Sequence, residues 1–186
     1  NDRVVLKNDD QYGSNYWHFT KYDALSRPII AGLLSSIGTN SRQTLQTAFD
    51  GITGQTYETR GGTQYNYSNA SYPTNSIYSV ADSDVKLVNY YDDHDWVSVV
   101  NPSVAKGTAS FSLIPIVVGH KGLLTGTLVR NIETDDWYKT AKYYDYKARN
   151  ILTFNESHLG GINRTDYQYN FANELLKMQI EHQGIT

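Results

Sequence analysis

The stretch Lys142-Tyr143-Tyr144-Asp145-Tyr146-Lys147-Ala148-Arg149-Asn150-Ile151-Leu152 decides how this chain is read. Aromatic β-formers lead into a Tyr-Asp pair, and an arginine opens the apolar run that follows. An aspartate at the start of a turn can accept bonds from backbone N–H groups two residues on. The pair therefore reads as a corner between two strands. The same order recurs in Phe19-Thr20-Lys21-Tyr22-Asp23-Ala24-Leu25-Ser26-Arg27-Pro28-Ile29-Ile30. A degenerate version is Tyr169-Asn170-Phe171-Ala172-Asn173-Glu174-Leu175-Leu176. Another, Tyr90-Tyr91-Asp92-Asp93-His94-Asp95-Trp96-Val97, keeps only the first half. A recurring unit implies a repeat architecture, with each copy a strand, a tight turn and a strand.

After the last corner, Leu176, Met178 and Ile180 alternate with Lys177, Gln179 and Glu181. Period two predicts a strand with one buried face. Residues 87–91, 123–132, 137–144, 150–155 and 167–181 read as strands, with short strands also near residues 4–6 and 16–34. The expectation is a mainly β, mostly antiparallel fold of about eight to ten strands. Ser41 is placed to N-cap a short helix near residues 41–50, with Leu45, Ala48 and Phe49 on one face. Residues 51–80 are rich in Gly, Asn, Ser, Thr and Tyr and read as a long irregular insertion with short strands.

The pattern Tyr-Asp-x-x-x-Arg followed by apolar residues resembles the YD repeat of RHS proteins, which include bacterial toxins, shell subunits of insecticidal toxin complexes, and teneurins. Trp17 to Pro28, Val88-Asn89-Tyr90-Tyr91-Asp92-Asp93 and Gly122-Leu123-Leu124-Thr125-Gly126-Thr127 are similar to stretches of the Bacteroidetes members. The resemblance implies a fold in which β-hairpins form part of a curled sheet, or shell, around a cargo. Residues 1–186 would be one segment of such a wall, non-catalytic and without a cofactor. Tyr22, Asp23, Arg27, Tyr91, Asp92, Tyr144, Asp145, Arg149, Tyr169 and Asn170 would be its turn residues. Its partners would be the remainder of its own polypeptide, an encapsulated C-terminal cargo, and a secretion-machinery or surface protein. The expected location is the bacterial exterior, secreted or at the cell surface. The family prefers glycine before the arginine, for a left-handed turn. Ser26, Ala148 and Asn173 stand there instead, which predicts turns of more than one type.

Composition agrees with a β-rich chain. Of the 186 residues 13% are aromatic and 16 are tyrosine, a residue suited to sheets with one wet face. The net charge is −3 and no basic stripe is present, so nucleic acid is not an expected partner. No apolar run reaches the ~18 residues of a membrane helix. Residues 110–118 are the most apolar stretch, and Pro115 interrupts them. With no cysteine, disulfides and thiolate metal sites are excluded. The chain starts with Asn and stops just after a strand, so it reads as an excerpt of a larger polypeptide.

Several clusters invite a chemical reading. Asp92-Asp93-His94-Asp95 offers carboxylate oxygens to a hard cation, but a solvated hairpin turn accounts for it better, and no metal site is expected. Asp82, Asp84, Glu133, Asp135 and Asp136 read as turn acids. His18, His94, His120, His158 and His182 form no metal-binding or hydrolase motif. Gly61-Gly62 and Gly160-Gly161 read as turn glycines. Asp23–Arg27 and Asp145–Arg149 are the natural ion pairs, contributing about 0–1 kcal/mol each if exposed. Tyr57, Tyr65, Tyr67, Tyr72 and Tyr78 define an alternative role, a ligand-contact loop of an adhesin that binds glycan or protein.

Overall fold

The computed structural model describes residues 3–8, 16–34, 41–71, 80–100, 115–117, 119 and 121–184. The chain divides into two compact units, Asn1–Val88 and Asn89–Thr186. It is mainly β, and every registered strand pair is antiparallel.

The first unit holds β1 (Leu6–Asn8), β2 (Trp17–Tyr22), β3 (Pro28–Leu34), α1 (Arg42–Asp50), β4 (Arg60–Gln64) and the start of β5 (Val85–Tyr91). Strands lie in the order β1-β2-β3-β5. Along β2 alternate residues are buried, so Trp17, Phe19 and Lys21 share the inner face. Ile29, Ile30, Leu34, Val85 and Val88 complete the sheet's share of the core. Gly32 is required where β3 passes Asp84, because a Cβ there would lie 2.0 Å from the Asp84 carbonyl oxygen. The helix forms as its sequence predicts. Ser41 Oγ accepts from the Thr44 N–H at 3.2 Å, and Leu45 is the helix's buried residue. In the irregular stretch, β4 folds back at Tyr65-Asn66, whose φ values of 52° and 62° suit a two-residue hairpin turn.

The second unit contains the end of β5, α2 (Trp96–Val100), β6 (Leu124–Arg130), β7 (Trp137–Tyr144), β8 (Asn150–Glu156), β9 (Ile162–Tyr169) and β10 (Leu175–Gln183). From β6 to β10 spatial order follows chain order, as in a meander. Ile151, Leu152, Thr153 and Phe154 of β8 are buried in succession, so this strand is covered on both faces. Trp96 is buried completely and stacks on Tyr90 at 4.5 Å. Gly126 makes room for it, since a Cβ at that position would lie 2.0 Å from Trp96 Cζ2. Tyr143 stacks against His94 on one side and meets Phe154 edge-on at 6.1 Å.

The last strand departs from expectation. Its alternating pattern is real, yet Leu176, Met178 and Ile180 are 62%, 53% and 62% exposed. The predicted buried face is absent because nothing among the described residues packs over β10, all nine residues of which are exposed.

Candidate functional site

The Tyr-Asp corners are the most regular feature of both units. The turn 23–27 joins β2 to β3, the turn 145–149 joins β7 to β8, and the turn 170–174 joins β9 to β10. In each, the first residue's N–H donates to the carbonyl of the fifth, at 3.1, 3.0 and 3.0 Å. The fourth residue's N–H donates back to the first carbonyl, at 3.0, 3.0 and 3.2 Å. One side-chain oxygen of Asp23, Asp145 or Asn170 then accepts from the third and fifth N–H groups, all at 2.8–3.0 Å. That oxygen satisfies donors which the tight turn leaves without carbonyl partners.

For these three hairpins the expectation of several turn types is overturned, while the fourth copy does differ. Ser26, Ala148 and Asn173 have φ of 66°, 61° and 68°, the left-handed conformation that glycine would adopt more readily. The hydrogen-bond frame outweighs the local cost, ~1–2 kcal/mol for an L-residue. The frame also tolerates other residue types. Ser157-His158-Leu159-Gly160-Gly161, between β8 and β9, repeats both backbone bonds and the bond to the third N–H, with a serine hydroxyl in the aspartate's place and Gly160 at φ 87°.

Both arginines close their own turns, and Arg149 also reaches beyond its turn. Arg27 Nε donates to Asp23 Oδ2 at 2.6 Å, and Arg149 Nε donates to Asp145 Oδ2 at 2.7 Å. The second pair is not the exposed bridge expected, since the Asp145 side chain is fully buried and Arg149 is 11% exposed. Burial alone would raise the Asp145 carboxyl. The bonds from Arg149 and from the Lys147 and Arg149 N–H groups hold it below its ordinary value instead. Arg149 also donates to the Asn170 carbonyl at 2.9 Å, and its guanidinium lies 5.2 Å from the centre of the Tyr169 ring. In the third corner the polarity is reversed. Asn170 Nδ2 donates to Glu174 Oε2 at 2.6 Å, so Asn and Glu replace Asp and Arg as a matched pair.

The tyrosines of the two Tyr-Asp pairs fasten their corners to backbone outside them. Tyr22 Oη donates to the Val4 carbonyl and Tyr144 Oη to the Leu124 carbonyl, both at 2.7 Å. Arg3 stacks over Tyr22 at 5.2 Å, the same spacing as Arg149 over Tyr169.

The fourth copy is not a hairpin. Asp92, at φ 74°, donates its N–H to the Leu123 carbonyl and accepts from the Gly122 N–H. The chain then enters α2, because Trp96 is drawn into the core beside Tyr90. His94 Nε2 lies 2.8 Å from the Lys142 carbonyl, and its ring stacks on Tyr143 at 4.3 Å. Among the described residues no group of three or more His, Asp or Glu is placed to hold a metal ion. No helix among them is long and apolar enough to cross a membrane.

The described tyrosines of the insertion do not form one surface. Tyr67 is buried beneath Arg60, Tyr65 donates to Asp82, and Tyr57 is 37% exposed. Tyr72, Tyr78 and His120 lie outside the described residues.

A second cluster had no role in the sequence reading. Lys21 Nζ and Glu58 Oε1 are 3.0 Å apart, and both side chains are fully buried. Glu58 also accepts from Ser68 Oγ, the Ala70 N–H, and the Ser71 N–H and Oγ. Lys21 donates further to Asn69 Oδ1 and the Ser71 carbonyl. Burial would raise the Glu58 carboxyl, but the bonds from Ser68 and Ser71 and the charge of Lys21 bring it below its ordinary value. Burial lowers Lys21, and Glu58 offsets this only in part. The one sequence signal is a lysine two residues after Phe19 on the inner face of β2.

No family model, curated protein or solved structure matches the chain.

Proposed function

We propose that the chain is a non-catalytic wall segment of the kind its Tyr-Asp units resemble, the YD-repeat β-shell of RHS proteins. The observation carrying this reading is the three corners with one hydrogen-bond frame, the arginine of one reaching the tyrosine and backbone of the next. Such a device sets the turn and spaces neighbouring hairpins. It leaves its polar groups engaged with one another and organises no reacting centre. The role is mechanical: antiparallel strands satisfy each other's backbone and separate an enclosed cargo from its surroundings. The proposed setting is a bacterial exported protein, with a secretion-machinery or surface protein as a further partner.

The proposed main partner is further β structure of the same polypeptide, laid against β10. Support comes from its apolar residues exposed at the end of the strand order. Unpaired strand edges with apolar side chains favour addition of another strand. Amide hydrogen exchange tests this by comparing the chain alone with its natural gene product. Slow exchange in β10 only in the gene product supports the wall. Equal exchange in both argues against it. The adhesin reading has less support, because Tyr67 and Tyr65 brace the insertion internally.

A further inference from the structure

The buried amine of Lys21 contacts both the buried Glu58 carboxylate and the part-buried Asn69 carboxamide. Lys21 Nζ is 3.0 Å from Glu58 Oε1 and 2.5 Å from Asn69 Oδ1. With a C=O bond of ~1.23 Å, a contact of 2.5 Å keeps Nζ within ~3.7 Å of Asn69 Cγ, near the range at which reacting atoms meet. The Lys21 and Glu58 side chains have no solvent exposure. Asn69 is held at φ 49° between Ser68 and Ala70, both of which bond Glu58. A lone salt bridge requires none of this placement of a carboxamide against the amine.

We propose that Lys21 and Asn69 become joined by an intramolecular amide bond, formed once by the chain itself with Glu58 moving the protons. Glu58 first takes a proton from the Lys21 ammonium, leaving a neutral amine. The amine nitrogen attacks Asn69 Cγ, a C–N bond forms, and the carbonyl becomes a tetrahedral oxyanion. The carbonyl re-forms as the Cγ–Nδ2 bond breaks. Glu58 donates its proton to the departing nitrogen and takes the remaining excess proton from the Lys21 nitrogen. Ammonia carries the leaving nitrogen away, taking up that second proton to leave as ammonium, and Glu58 ends as it began. No oxidant, metal or cofactor enters the balance.

Burial favours the neutral form of Lys21, an effect that the charge of Glu58 offsets only in part, while the bonds on Glu58 oppose its taking the proton. Glu58 is within proton-transfer reach. The acyl group comes from Asn69 and not from Glu58, since an ionised carboxylate holding five hydrogen bonds is a poor target for an amine. The bond would staple β2 to the insertion in a chain that has no cysteine for a disulfide. It does not depend on the wall reading above.

Mass spectrometry of the purified protein tests the proposal. The intact mass is expected to fall short of the sequence mass by one ammonia. A protease digest should yield a branched peptide joining Lys21 to Asn69. Glu58→Gln, Lys21→Arg and Asn69→Ala should each restore the unlinked mass and migrate more slowly on a denaturing gel. Folded wild-type protein with the full sequence mass overturns the proposal, as does an ammonia loss located elsewhere. The wild-type peptide map decides the matter even if a variant fails to fold.

Discussion

Arg149 holds its own turn and the next one along the sheet, with Nε on Asp145 at 2.7 Å and Nη1 2.9 Å from the Asn170 carbonyl oxygen. Asp145 alone could close the turn through its backbone bonds. The arginine adds a connection between hairpins that are separate in sequence, which is the property a repeating wall requires.

Removing that arginine should be costly. Arg149→Ala leaves Asp145 buried without a counter-charge, and a loss of about 3–5 kcal/mol is expected from denaturant unfolding. Arg27→Ala should cost only about 1 kcal/mol, since Asp23 and Arg27 retain contact with water. Equal losses at the two sites would contradict the bridging role.

Ala148 occupies a left-handed position that suits glycine. Relief of the strain, less the extra freedom of an unfolded glycine, predicts that Ala148→Gly stabilises by about 0.5–1 kcal/mol. Ala148→Val should destabilise by more than about 1 kcal/mol. Thermal melts of both variants would check the sign.

Gly126→Ala should disturb the second unit's core. The new methyl group would meet the Trp96 ring, and a cost of about 1–3 kcal/mol is expected. Loss of the Tyr90–Trp96 stack should appear as a changed near-ultraviolet circular dichroism band.

Stability should fall at both pH extremes. Asp145 is held below its ordinary 3.8, so the folded state binds its proton less readily than the unfolded chain. Its contribution is present above that value and is lost as the pH drops through the folded pKa. Burial pushes Tyr143 up to about 12 from 10.0, so the unfolded chain ionises first. That contribution is lost as the pH rises across this interval. Asp145→Asn should flatten the acid limb and Tyr143→Phe the alkaline limb of unfolding free energy against pH.

The strands and corners were legible because their signals are local. Alternation placed β10, and the Tyr-Asp pairs at 22–23 and 144–145 placed two hairpins. Ser41 marked α1 for the same reason. Other features depended on partners remote in sequence. The pair at 91–92 leads to a helix because Trp96 finds space over Gly126, which no window around Asp92 contains. Lys21 meets Glu58 and Asn69 only after the insertion folds back, so its partners do not show in β2 alone. The common conformation of Ser26, Ala148 and Asn173 was hidden for a different reason. Residue preference argues against it, and the hydrogen-bond frame of the corner overrides that preference.

An experimentally determined structure of the natural gene product would test the wall most directly, read at the outer edge of β10. Another strand hydrogen-bonded there, with further protein packed over Leu176, Met178 and Ile180, is the expected result. A β10 that stays bare, or a substrate held where Asp23 or Asp145 now closes its turn, would contradict it.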